Sequence, residues 1–389
     1  MTSSVIRSSE NVSFPNEVDS VRYLHVFPEF NRGGAEIRIS KTINAMGPGQ
    51  GHAILSISGG ADAADILDSE CAVRVMAGPP KRGAIQFPFD LWKCIRSINP
   101  KVILTYNWGA TDAVLAAKIA RFRPVIHNEC GLSADVDGKG WRRRVARRLL
   151  LPSCHKVVVT SFTLYELAIE KYGVPKDRIE FIKTGVSTER FFPGDNDSLR
   201  NRVTENGGDC VVFGYVGSLR PSKNGAMLLR AFAAAKPAMV SRTRLAFFGD
   251  GPERDRLTTL AKELGVADSV YFHGYVADPE NAFRAIDVNV TTSKSEAASN
   301  SLLEAMASGL PVVSTDIADN RRMLSPENRP FVFSHDDNTG YASALETMAN
   351  DATLRCRLGE INREHVCNEY PIDRMYREFA KLWTDAASL

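Results

Sequence analysis

The chain has 389 residues, 44% of them hydrophobic and 24% charged, with a formal net charge of +2. That length suits two domains of ordinary size, and the composition is that of a globular protein rather than a disordered or membrane-embedded one. The near-neutral balance argues against a dedicated nucleic-acid binder, and no apolar run approaches the ~20 residues of a membrane span.

Residues 1–20 contain no apolar stretch of signal-peptide length and read as a disordered tail. Seven cysteines without a C-x-x-C pair give neither a disulfide framework nor zinc spacing, so a reducing, cytosolic compartment is expected. From Arg22 onward short apolar runs alternate with longer amphipathic ones. "RYLHVF" predicts a buried strand, "NRGG" a tight turn holding Gly33 and Gly34, and "AEIRISKTINAM" the helix after it. The rhythm returns in "KVILTY" with "TDAVLAAKIARF" and in "KVVVT" with "TLYELAIEKYG". Around "RFFPGDNDSLRNRV" it gives way to Pro, Gly, Asp and Asn, the composition of a linker.

The pattern then restarts as "VVFGYVG" with "KNGAMLLRAFAAA", "RLAFFGDG" with "PERDRLTTLAKELG", and "VNVTTS" with "NSLLEAMASG", before three closing helical stretches. Strands alternating with helices predict parallel sheets covered on both faces. The fold class is therefore α/β, with two doubly wound, Rossmann-like domains and a ligand cleft between the carboxyl ends of their strands. The expected units are 21–195, 196–368, and a last helix over 369–389 that packs back on the first domain.

Chemistry is expected at the strand ends of the second half. Gly217 and Ser218 follow one strand, with Arg220 and Lys223 close behind; Gly249, Asp250 and Gly251 follow the next; Ser293 and Ser295 follow a third, and a helix begins near Asn300. Glycines let backbone N–H groups approach a ligand, and a helix N-terminus with Lys223 beside it suits phosphate. Glu296, before the helix, can face the reacting end of such a ligand. Glu304, one turn in, can accept hydrogen bonds from the vicinal hydroxyls of a ribose. The plainer alternative leaves the glycines as βα turns, Glu296 as a complement to the helix dipole and Glu304 as a solvated side chain. Against it, "LLEAMASGLPVV" is otherwise apolar or small, and a carboxylate in a closely packed helix needs a partner.

These residues carry a resemblance. "SEAASNSLLEAMASGLPVVSTD" resembles the signature of the family 4 retaining glycosyltransferases, which have the GT-B fold of two facing Rossmann-like domains. "NRGGAE", "KTGVSTERFFP", "GSLRPSKN", "GDGPERDRL" and "VYFHGYV" resemble further segments of that family in the same order. The resemblance implies a nucleotide-sugar donor held mainly by the second domain. Glu304 would hold the ribose and Glu296 the donated sugar. The backbone at Asn300, Ser301 and Leu302 would hold the diphosphate with Lys223, while Gly249, Asp250 and Val276 would flank the base. Gly33 and Gly34 would approach the phosphates or the acceptor from the first domain. No metal or other cofactor is implied, and the acceptor would be a glycan or lipid-linked hydroxyl.

Three departures from the family pattern stand out. Ser218 takes the place of a common arginine, for which Arg220 offers a charge; Cys130 takes that of a common histidine, for which His127 is the nearby candidate; and Ala297 with Ala298 replaces Gly-Phe. They motivate a second reading, a degenerate binder of nucleotide or sugar without turnover. Asp135 and Asp137 spell the D-x-D of the other large glycosyltransferase fold, a metal site in that context. No dinucleotide-binding G-x-G-x-x-G, P-loop or H-E-x-x-H is present. Finally, "WRRRVARRLLL" predicts a helix with Trp141, Val145 and Leu149 on one face and Arg143, Arg144, Arg147 and Arg148 on another. Those arginines suit an anionic membrane surface or, more plainly, form a solvated basic face.

Overall fold

The computed structural model describes residues 21–389 apart from 84–85, 132–139, 206–208, 241 and 297–298. The expected tail, the D-x-D at Asp135 and Asp137, and the Ala297-Ala298 pair lie outside the described residues.

The first domain runs β1 (Tyr23–Phe27), α1 (Gly34–Met46), β2 (His52–Ser56), β3 (Arg74–Ala77), α2 (Gln86–Ile98), β4 (Val102–Tyr106), α3 (Thr111–Ile119), β5 (Val125–Glu129), α4 (Trp141–Leu150), β6 (Lys156–Val159), α5 (Phe162–Glu170) and β7 (Ile179–Phe181). Its seven strands are parallel in the order β3-β2-β1-β4-β5-β6-β7. Every residue of β1, β2, β4 and β5 is buried, as a sheet covered on both faces requires. Alternate residues of β1 divide between the layers: Leu24 and Val26 pack with α2 and α3, whereas Tyr23 and Phe27 pack with α1.

The second domain runs α6 (Asp197–Thr204), β8 (Val211–Val216), α7 (Gly225–Ala235), β9 (Thr243–Phe248), α8 (Arg254–Glu263), β10 (Val270–Gly274), α9 (Pro279–Phe283), β11 (Val288–Thr291), α10 (Asn300–Ala307), β12 (Val312–Thr315), α11 (Asn320–Met323), β13 (Val332–Phe333), α12 (Asn338–Asn350) and α13 (Ala352–Glu369). Its sheet is parallel in the order β10-β9-β8-β11-β12-β13. The stretch expected as linker is helical at its end, because Asn196 accepts the Leu199 N–H at 3.1 Å and Leu199 and Val203, one turn apart, are buried.

The chain then returns. Helix α14 (Ile372–Ala387) lays Met375, Phe379, Trp383 and Ala386 on the α1 side of the first sheet. Where the two crossings meet, the Val186 N–H donates to the Tyr370 carbonyl at 2.9 Å and the Ile372 N–H to the Val186 carbonyl at 3.2 Å, and a Cβ on Gly185 would stand 2.6 Å from the Ile372 Cα. A second tie joins the domains at α5. The Asp319 carboxylate, from the second domain, accepts the Phe162 N–H at 2.5 Å and the Thr163 N–H at 3.1 Å, capping that helix from outside.

Candidate functional site

In each sheet the strand order reverses beside a central strand, between β1 and β4 and between β8 and β11, and crevices open beyond the carboxyl ends there. In the second domain the two loops at that point are stitched together. The Thr292 hydroxyl donates to the Lys223 carbonyl at 3.1 Å, and the Lys294 N–H to the Ser222 carbonyl at 2.8 Å. This brings Lys223 Nζ to 2.8 Å from Glu296 Oε1, which also accepts from the Ser293 hydroxyl. The neighbouring loop after β9 lies flat against the loop after β8: the Gly217 N–H donates to the Phe248 carbonyl and the Leu219 N–H to the Asp250 carbonyl, each at 2.9 Å. A Cβ on Gly249 would overlap the Gly217 carbonyl, so this contact demands glycine, and its φ of 150° adds to the restriction. The Asp250 carboxylate accepts the Gly251 N–H at 2.8 Å. Ser218 is half-buried with its carbonyl taken by the Tyr215 hydroxyl at 2.9 Å, and Arg220 is exposed.

A cleft of about 340 Å³ lies between the domains. Gly34 and Asn300 face each other across it, the Asn300 Nδ2 lying 3.5 Å from where a Gly34 Cβ would stand. Val276 and Glu304 also line it; Ser301 is half-buried on the next position, and the Leu302 side chain is core, leaving its backbone for any ligand. Gly33 lies under the Glu36 carboxylate. The Ser299 side chain makes no cap at α10, so it does not compete for the first-turn N–H groups there.

Glu304 is the unusual group. Burial pushes its carboxyl up to about 7, opposed by Arg190 and Lys41 and reinforced by Glu280. Arg190 is already engaged by Glu280, Nη2 to Oε2 at 2.8 Å, which weakens its claim on Glu304. Among the described residues no side chain hydrogen-bonds the Glu304 carboxylate. It faces the cleft as an acceptor awaiting donors.

Beyond Gly34, the opposite wall went unread in the sequence. Gly34, Ile37, Arg38 and Lys41 of α1 line the cleft at helical spacing, with Arg190 from the interdomain crossing and Tyr376 from α14. The i, i+3, i+4, i+7 pattern after a glycine pair was the available signal. Burial lowers the Lys41 pKa, with Arg190 adding to the effect.

Two expectations are corrected. His127 does not reach the cleft. It is fully buried in β5, with Nδ1 2.8 Å from the Thr105 hydroxyl and Nε2 3.8 Å from Glu129. Arg147 is not on a solvated face either: it is fully buried, with Nε 2.7 Å from Glu129 Oε2 and its guanidinium over the Trp108 and Tyr172 rings. Burial alone would raise the Glu129 pKa, but the neighbouring His127 and the Arg147 guanidinium hold it below the usual carboxylate value. Cys130, where a histidine was looked for, has its thiol pushed up to about 11 by burial.

Two family models match the chain. The model of glycosyl transferases group 1 matches residues 196–365, and that of glycosyltransferase family 4 matches residues 32–190. A D-inositol 3-phosphate glycosyltransferase of Frankia alni is 32% identical over 277 residues, 66% of this chain and 67% of that protein. One from Stackebrandtia nassauensis is 30% identical over 269 residues, 67% of this chain; the chain spans 59% of its length. HepE from Anabaena, solved in complex with UDP, superposes with a TM-score of 0.79 at 18% identity, covering 94% of this chain and all of that one. That likeness shows the fold, two facing Rossmann-like domains of the GT-B type.

Proposed function

This chain belongs to the group 1 glycosyltransferases of family 4, and from that premise we propose that it transfers a sugar from a nucleotide diphosphate to a hydroxyl acceptor, with retention at the anomeric carbon. The observation that carries the reading is Glu304, a cleft carboxylate without a side-chain donor among the described residues, set one turn inside a helix whose N-terminus faces the same cleft. Two ribose hydroxyls would supply the missing donors and draw its pKa back down. The diphosphate would take the α10 N-terminus and Lys223, whose charge stabilises it as it leaves and makes a metal unnecessary. The base would lie against Val276. Glu296, released by Lys223 as that lysine turns to phosphate, would hold sugar hydroxyls rather than attack carbon. A UDP complex among the structural neighbours favours UDP over GDP and ADP. The acceptor, a glycan or lipid-linked hydroxyl, would enter along the α1 wall.

Thermal unfolding with UDP, GDP, ADP and CMP, without metal, tests this. A nucleotide at about a hundred times its Kd adds ~2.7 kcal/mol to the folded state. A rise with one diphosphate identifies the donor class; no rise with any contradicts the site. Cys130, neutral where a histidine is common, favours the second reading of a binder without turnover. Release of nucleoside diphosphate from a donor sugar decides against that reading.

A further inference from the structure

A surface helix of a globular protein turns its apolar stripe to the core and its charges to water. Helix α4 instead turns its apolar stripe outward and one arginine inward. Trp141, Val145 and Leu149, one turn apart along one face, are 62%, 48% and 65% exposed, while Arg147 is buried on the other side. The inversion is fixed by chemistry: the Arg147 pair with Glu129, clasped between two aromatic rings, sets the rotation of the helix, and turning the apolar face inward would strip Glu129 of its cation. An apolar stripe held outward by a buried ion pair is a surface that awaits a partner.

We infer that this face docks on an anionic lipid bilayer. The helix carries five arginines and no acid. Arg142 lies over the Trp141 ring at 5.5 Å, and Arg148 is exposed beside Leu149. At the far end Lys118 donates to the Leu149 carbonyl at 3.1 Å, next to Ile119, which is 58% exposed. Tryptophan and leucine among arginines, with no acid to repel headgroups, match the boundary between acyl chains and anionic phosphate. A second copy of the chain fits poorly, because a two-fold contact would set arginines against arginines. Because α4 joins parallel strands, it runs antiparallel to them, with Trp141 at the cleft end. Arg143, two residues in, sits over Trp108 in the loop that follows β4. Docking would hold the cleft mouth at the membrane.

The docking face stands on the helix alone; its service to a lipid-linked acceptor rests on the reading of the cleft. Co-sedimentation with phosphatidylcholine vesicles, with and without phosphatidylglycerol, tests it on wild type and on the double variant Trp141→Ser, Leu149→Ser. Both side chains are exposed, so the thermal midpoint and UDP affinity are expected unchanged, which separates a docking failure from a failed donor site. Binding is expected only with phosphatidylglycerol, to weaken with salt, and to fall roughly tenfold or more in the variant. Equal binding to both vesicle types, no binding, or binding unaltered in the variant would overturn the inference. So would a wild-type dimer in light scattering that the variant dissolves.

Discussion

Two carboxylate clusters, one inside the first domain and one at the cleft between the domains, meet opposite fates. In the first domain Glu129 is sealed with Arg147 and His127, every charge answered from within the protein. In the second, Glu304 reaches the cleft with two nearby cations, one already committed to Glu280, and its pKa rises to about 7. A carboxylate that the fold satisfies contributes to stability. One that the fold leaves wanting is held ready for a ligand, at a cost to the empty protein. Pairing, more than residue type or burial, separates the structural acid from the one proposed to hold the donor.

Removing a partner from the sealed cluster sharpens the contrast most. Arg147→Gln leaves Glu129 buried without its cation and is expected to cost about 3–5 kcal/mol. It would lower the thermal midpoint by several degrees while calorimetry shows nucleotide affinity unchanged. A small midpoint change would mean that the pair is not what fixes α4.

Next comes the charge at the strand ends of the second domain. Lys223→Ala frees Glu296 and removes a cation from the departing diphosphate, so turnover is expected to fall about 10²-fold or more with the midpoint nearly constant. A fall in stability without a fall in turnover would return Lys223 to the role of a structural counter-ion.

Glu304→Gln is expected to do the reverse of Arg147→Gln. A carboxyl with a raised folded pKa helps stability below its unfolded value and loses that help as pH rises through about 7. At pH 8 the variant is therefore expected to be about 2 kcal/mol more stable than wild type when empty, with the advantage gone near pH 4. A wild type no less stable than the variant at pH 8 would mean that Glu304 already has a partner.

The smallest expected effect lies at the domain contact. Asp319→Ala removes the external cap of α5 and should cost about 1 kcal/mol, with a larger radius of gyration by small-angle scattering. An unchanged radius would show that the crossing at Gly185 alone holds the domains together.

The architecture was legible because its signals are local. Apolar runs such as "KVILTY" and the glycines at strand ends report backbone geometry that a sequence writes down directly. Gly249 is the clearest case, needed because two loops lie backbone to backbone. Glu304 stood out by being the lone charge in an apolar helix. The errors came where pairing over long sequence separations decides the outcome. His127 looked like a catalytic candidate because Thr105, the distant partner of its ring, cannot be read from β5. Arg147 looked solvated because the helical wheel of α4 is amphipathic in the ordinary sense, and only Glu129 reveals which face turns inward. Arg38 and Lys41 were missed because a basic face on α1 is unremarkable until the second domain closes over it.

The most direct test is calorimetric titration of the nucleoside diphosphate that stabilises the protein, into wild type and Glu304→Gln, at pH 6 and at pH 8. In the proposed site the ribose hydroxyls donate to the ionised carboxylate. Wild-type affinity should thus be full at pH 8 and drop about tenfold at pH 6, while the variant binds 1.5–3 kcal/mol more weakly, about the scale of lost charge-assisted hydrogen bonds, with little dependence on pH. Equal affinity of the two proteins at pH 8 would contradict the assignment of Glu304 to the ribose.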